Sequence, residues 1–123
     1  MNALVEMRDG DVAVVAVPLE KLDMSTANEF KRVMAPIMKD NRHVVLDLNT
    51  VTFVDSSGLG AILSCLRELS SASGDLKLCQ VQKRVRVMLE LVRMHRILSI
   101  HDTAEDAVRA FVTSGTLPQA AVS

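Results

Sequence analysis

The spacing of apolar residues changes period repeatedly along this chain, and that alternation restricts its fold more than any other feature. Leu4 to Met7 and Val12 to Val17 read as strands, joined by Arg8-Asp9-Gly10-Asp11, where Asp-Gly supplies the positive φ angles of a hairpin. Ala27, Phe30, Val33, Met34, Ile37 and Met38 then recur at helical intervals, behind a Thr26-Ala27-Asn28-Glu29 segment with capping-box spacing. Pro36 lacks an amide donor and disfavours helical geometry at Ala35, so this helix either kinks or ends there. His43 to Leu48 is apolar enough for a central strand and leads through Asn49 to Val54 into Asp55-Ser56-Ser57-Gly58. From Leu59 the apolar positions 59, 62, 63, 66 and 69 fit one helical face, ending at the loop-like Ser70-Ser71-Ala72-Ser73-Gly74. Leu76 to Val81 alternates as a strand, Val85, Met88, Leu89 and Val92 repeat as a helix, and Ile97 to Ile100 fits a short strand. Thr103-Ala104-Glu105-Asp106 caps a last helix through Phe111. This order predicts an α/β fold in which about four helices cover a mixed, mostly parallel sheet with an N-terminal hairpin. A flexible tail is expected over residues 113–123.

The 123 residues suit one domain, and with 49% apolar and 24% charged residues that domain can bury a core. A net charge of −1 offers no global cationic field for nucleic acid or an anionic membrane, and three Phe with no Trp or Tyr give no stacking platform. The longest apolar run, Val12 to Leu19, is far below the roughly 18 to 20 residues of a membrane span. The N-terminus lacks a basic segment followed by an apolar one, so no secretory signal is read and the cytoplasm is expected. Cys65 and Cys79 lack CxxC spacing and read as small buried hydrophobes. The seven Met residues read as core filler.

Chemistry concentrates at Asp55-Ser56-Ser57-Gly58-Leu59-Gly60, where an apolar strand ends and an amphipathic helix begins. Backbone amides and the positive end of the helix dipole meet there, so an anion could be held; equally, Asp55 or Ser56 could serve only as an N-cap. Gly58 and Gly60 each cost roughly 1 kcal/mol against Ala near a helix start and strip side chains from the surface, which suits close approach of another molecule. A serine hydrolase is disfavoured, because Val54 occupies the first glycine position of G-x-S-x-G around Ser56. His43, His95 and His101 have no visible acid partner and read as surface or strand residues. His and Cys spacings fit no metal site. Lys83, Arg84, Arg86, Arg93, His95 and Arg96 form a basic stretch that is either a solvated helix face or the docking site of an acidic partner.

Val44-Val45-Leu46-Asp47-Leu48 followed by Val51-Thr52-Phe53-Val54-Asp55-Ser56-Ser57-Gly58-Leu59-Gly60-Ala61-Ile62-Leu63 resembles the STAS-type anti-sigma factor antagonists of bacterial partner-switching pathways. Leu22-Asp23-Met24-Ser25-Thr26-Ala27 and Met88-Leu89-Glu90-Leu91 are similar to further family segments, and the likeness spans about residues 4 to 111. It implies a STAS-like domain over residues 1–112. It also implies phosphorylation at Ser56, and a partner-binding surface formed by Asp23, Asp55, Ser56, Ser57, Gly58 and Gly60. The implied partners are an anti-sigma factor serine/threonine-protein kinase, bound by the unphosphorylated form so that its target is released, and a PP2C-like phosphatase that resets the switch. No catalysis, cofactor, metal or small-molecule substrate is implied for the chain itself; ATP and Mg²⁺ belong to the partners. A non-phosphorylated adaptor subunit of a transport or sensory complex is the alternative on the same fold.

Overall fold

The computed structural model describes residues 1–9 and 11–113. Strands β1 (Leu4–Arg8) and β2 (Val12–Ala16) form the expected antiparallel hairpin, with Asp9 at φ 49° in the turn. Next come β3 (Lys21–Leu22), α1 (Ala27–Asp40), β4 (His43–Asp47), β5 (Phe53–Val54), α2 (Ser56–Ser71), β6 (Asp75–Cys79), α3 (Lys83–Leu91), a 3-10 turn (Met94–Arg96), β7 (Ser99–His101) and α4 (Ala104–Thr113). The principal sheet has the order β1-β2-β4-β6-β7, parallel throughout except for the hairpin. The architecture is therefore the α/β one expected, with four helices on a mixed five-stranded sheet.

Alternation within the strands divides the core. Val15, Val44, Leu46, Leu76 and Leu78 point to the face covered by α1, α2 and α3, where Phe30, Met34, Ile62, Leu69 and Leu89 are fully buried. Val12, Val14, Val45 and Cys79 point to the other face, closed by Ala104, Ala107, Val108 and Phe111 of α4. Because both faces are covered, β2 reads as an unbroken apolar run and β4 is apolar through its centre, Val44 to Leu46.

Three local expectations are corrected or decided. Helix α1 runs through Pro36 to Asp40; the proline lies on the exposed face, where water can serve the Arg32 carbonyl left without its amide donor. Thr26 occupies the N-cap position of α1 without capping it: its hydroxyl donates to the Lys21 carbonyl and accepts from the Asp23 amide, each at 3.0 Å. The capping-box spacing is thus present without the box. Helix α2 extends to Ser71 before Ser73, at φ 63°, and Gly74 return their amides to the carbonyls of Ser70 and Leu69 in a Schellman turn. Cys65 and Cys79 are buried free thiols, pushed up to about 12 by burial. No described helix is long and apolar enough to cross a membrane. Of the expected tail, Thr113 closes α4 and residues 114–123 lie outside the described residues.

Candidate functional site at the head of the second long helix

Two stretches about thirty residues apart in sequence are stitched together beside the principal sheet. Lys21 pairs with Phe53 and Leu22 with Val54 in a two-strand parallel ladder, and Thr52 donates its amide to the Glu20 carbonyl at 2.8 Å. Thr50 adds its hydroxyl to the Val17 carbonyl at 2.8 Å. This ladder delivers the segment after β3 and the head of α2 to one surface.

Asp55 fixes the junction. Its backbone is extended, and its Oδ1 accepts the Gly58 amide at 2.9 Å, which makes it the N-cap of α2 and decides between Asp55 and Ser56. Its Oδ2 accepts the Met24 amide at 3.1 Å, and its own amide donates to the Leu22 carbonyl at 3.3 Å. Both carboxylate oxygens are therefore engaged inside the protein, and Asp55 positions the two loops against each other. Met24, which has no direct signal in the spacing of apolar residues, is left 78% exposed beside the site.

The two glycines have different reasons. A Cβ on Gly58 would lie 1.9 Å from the Leu22 carbonyl oxygen, so Gly58 is buried and permits the close approach of α2 to β3. It lies buried beneath the surface that Ser56 and Gly60 expose. Nothing lies within 4 Å of a Cβ on Gly60, which is exposed one helical turn beyond Ser56. Ser56 and Gly60 thus form a stripe with almost no side-chain relief.

Ser56 is the first residue of α2 and is exposed; its hydroxyl makes no hydrogen bond among the described residues. Ser57 is half-buried beside it. The first two amides of a helix have no intrahelical acceptor, so the Ser56 and Ser57 amides stand at the positive end of the α2 dipole. Asp23, in the facing loop, accepts the Ser25 hydroxyl at 2.7 Å and the Ser25 amide at 3.0 Å on Oδ1. The Ser25 hydroxyl chiefly, helped by its amide and by Thr26, holds the Asp23 carboxyl below the usual carboxylate range, so it is ionised at neutral pH. Asp23, Asp55, Ser56, Ser57, Gly58 and Gly60 thus occupy one neighbourhood; Ser56 and Gly60 face outward, while Asp55 and Gly58 build the frame.

The histidines lie elsewhere: His43 is buried on β4 against Phe111, His95 is exposed in the 3-10 turn, and His101 is half-buried on β7. Sequence reasoning missed the β3–β5 ladder and the exposed Met24; the Thr and Glu side of that ladder offers no periodicity to detect.

Comparison with known proteins places these features in context. The STAS domain model matches residues 4–107. An anti-sigma F factor antagonist of Paenibacillus polymyxa is 27% identical over 110 residues, covering 88% of this chain and 94% of the relative. The crystal structure of an anti-sigma factor antagonist from Mycobacterium paratuberculosis superposes with a TM-score of 0.77 at 26% identity, covering 89% of this chain and 92% of that one. The Bacillus cell fate determinant SpoIIAA in its phosphorylated form shares the fold, with a TM-score of 0.64 at 19% identity over 89% of this chain and 98% of that one.

Proposed function

This chain belongs to the STAS-domain family and, within it, to the anti-sigma factor antagonists; from that premise we propose that it is a cytoplasmic binding switch controlled by phosphorylation of Ser56. Unphosphorylated, it binds an anti-sigma factor that is also a serine kinase, and that kinase releases its target. Phosphorylation ends the binding, and a PP2C-like phosphatase restores it. The chain performs no catalysis in this cycle. The observation that carries the reading is the exposed, unengaged Ser56 hydroxyl at the head of α2, on a stripe kept flat by Gly60.

The chemistry of the switch follows from position. A phosphate on Ser56 adds about −1.5 to −2 charges at the positive end of a helix, where the fold accommodates an anion. The folded state is therefore retained, and the added charge and bulk act on the contact surface. Moving a partner from about 99% bound to 1% requires roughly 5.5 kcal/mol of differential binding. A solvated charge supplies far less, so the partner must cover Ser56 closely enough to desolvate it or clash with it. The flat stripe permits such coverage, and Met24 and Phe53, exposed at either side, supply apolar contact.

The test is incubation of the purified chain with the anti-sigma factor kinase of its host and ATP·Mg²⁺, followed by intact mass and site mapping. One phosphate on Ser56, abolished in Ser56→Ala, is expected. Phosphate on Ser57 alone overturns the site, and none under any condition points to a constitutive adaptor.

A further inference from the structure

Helix α3 and the turn after it expose more apolar surface than the fold explains. Val87 is 44% exposed, Leu91 79%, Val92 46% and Ile97 57%. Arg84, Val87, Met88 and Leu91 fall at the i, i+3, i+4 and i+7 positions of one helical stripe. Arg84 and Met88 also line a groove of about 190 Å³ with Thr52, Phe53, Val54 and Val85 between α3 and β5. The apolar surface therefore continues from α3 toward the strand that precedes Asp55.

The segment that carries this surface is cationic, and Arg84 lines the groove itself. Between Lys83 and Ile97 stand Lys83, Arg84, Arg86, Arg93 and Arg96, with Glu90 the one acid, in a chain whose net charge is −1. Arg86 pairs with Asp102 at 3.5 Å, whereas Lys83, Arg84, Arg93 and Arg96 form no ion pair among the described residues. Arg93 adds an independent sign. It adopts φ 61°, ψ 23° at the junction of α3 and the 3-10 turn, a left-handed conformation that glycine takes without strain and a long side chain does not. Its side chain is exposed, with no hydrogen bond or ion pair among the described residues, so its charge is available to a partner.

From this we infer that the α3 face and the adjoining Phe53 groove dock an acidic, amphipathic helical segment of a protein partner, with aliphatic side chains on the apolar stripe and carboxylates against Arg84, Arg93 and Arg96. Charge complementarity selects an acidic occupant, and a groove of about 190 Å³ lined by Phe53, Val54, Val85 and Met88 has room for the aliphatic side chains that a folded peptide presents. This docking requires no phosphate; it shares only Phe53 with the contact surface around Ser56, and the α3 stripe lies outside that surface.

The test is titration of the full chain, followed by amide NMR, with a short synthetic helical peptide carrying leucine on one face and glutamate elsewhere. Shifts confined to Phe53, Arg84, Val87 to Arg93 and Ile97 are expected, weakening as salt is raised. Leu91→Ser and Arg93→Gly should each weaken binding about tenfold or more, with the melting temperature of Arg93→Gly unchanged or higher. Ser56→Asp should bind the peptide as the unmodified chain does, which keeps this result distinct from any failure of the phosphorylation switch. Absence of shifts at millimolar peptide, shifts elsewhere, full binding by Arg93→Gly, or binding of phosphatidylglycerol vesicles in place of the peptide would each overturn the inference.

Discussion

At the scale of single residues, the two glycines of the serine motif separate fold from function. A methyl group on Gly58 would meet the Leu22 carbonyl at 1.9 Å, and backbone cannot yield as a side chain can. Gly58→Ala is therefore expected to cost about 2–3 kcal/mol, visible as a lowered urea midpoint. Gly60→Ala meets nothing within 4 Å and should be neutral or stabilise by up to about 1 kcal/mol in the same experiment. Spacing alone presents both glycines as surface cleared for another molecule. The difference lies in the Leu22 carbonyl, a backbone atom thirty-six positions earlier whose approach no local pattern records. Cysteine behaviour is simpler, because burial follows from apolar neighbours: Cys65 and Cys79, each pushed up to about 12, should resist thiol-directed reagents at pH 8 and react on denaturation.

Among the secondary-structure elements, α2 is the one that carries the proposed switch. Asp55→Ala would free both the Gly58 amide and the Met24 amide, at a cost of about 1–3 kcal/mol, and should loosen the Met24 loop as well as the helix end. Amide exchange of Met24 and Gly58 checks it. Ser56→Asp places a negative charge at the same helix end and should leave the melting temperature unchanged or raise it, so any loss of partner binding cannot be assigned to unfolding. The long elements were legible because each carries its own period, as α1 does at Phe30, Met34 and Met38 despite Pro36. The two-residue strands β3 and β5 were not, since they exist only through their mutual pairing and the Thr50 and Thr52 bonds to the chain thirty residues away. Thr26 shows the converse, a correct local spacing diverted by a better tertiary acceptor at Lys21.

For the molecule as a whole, closure of the second sheet face by α4 sets its response to acid. His43 is buried beneath α4, edge-on to Phe111 with ring centroids 5.2 Å apart, and its Nε2 has no hydrogen-bond partner among the described residues. Burial, and then Arg42 and Lys77, lower its pKa against the opposing pull of Asp11 and Asp75; burial likewise lowers that of His101. The folded state thus binds protons less readily than the unfolded chain. Stability is full above the ordinary histidine pKa and falls as the pH drops below it. Melting temperatures measured between pH 7.5 and 5.5 should decline, and His43→Leu should flatten that decline, leaving the part due to His101. The serine surface lies outside this acid-sensitive packing, and the proposed switch rests on one modification of one exposed hydroxyl. The most direct measurement is the affinity of the host's anti-sigma factor kinase for the chain in its unphosphorylated and Ser56-phosphorylated forms. Binding weakened about 10⁴-fold by the phosphate, with the fold intact, is the predicted result. Affinities within a few-fold of each other would contradict the account.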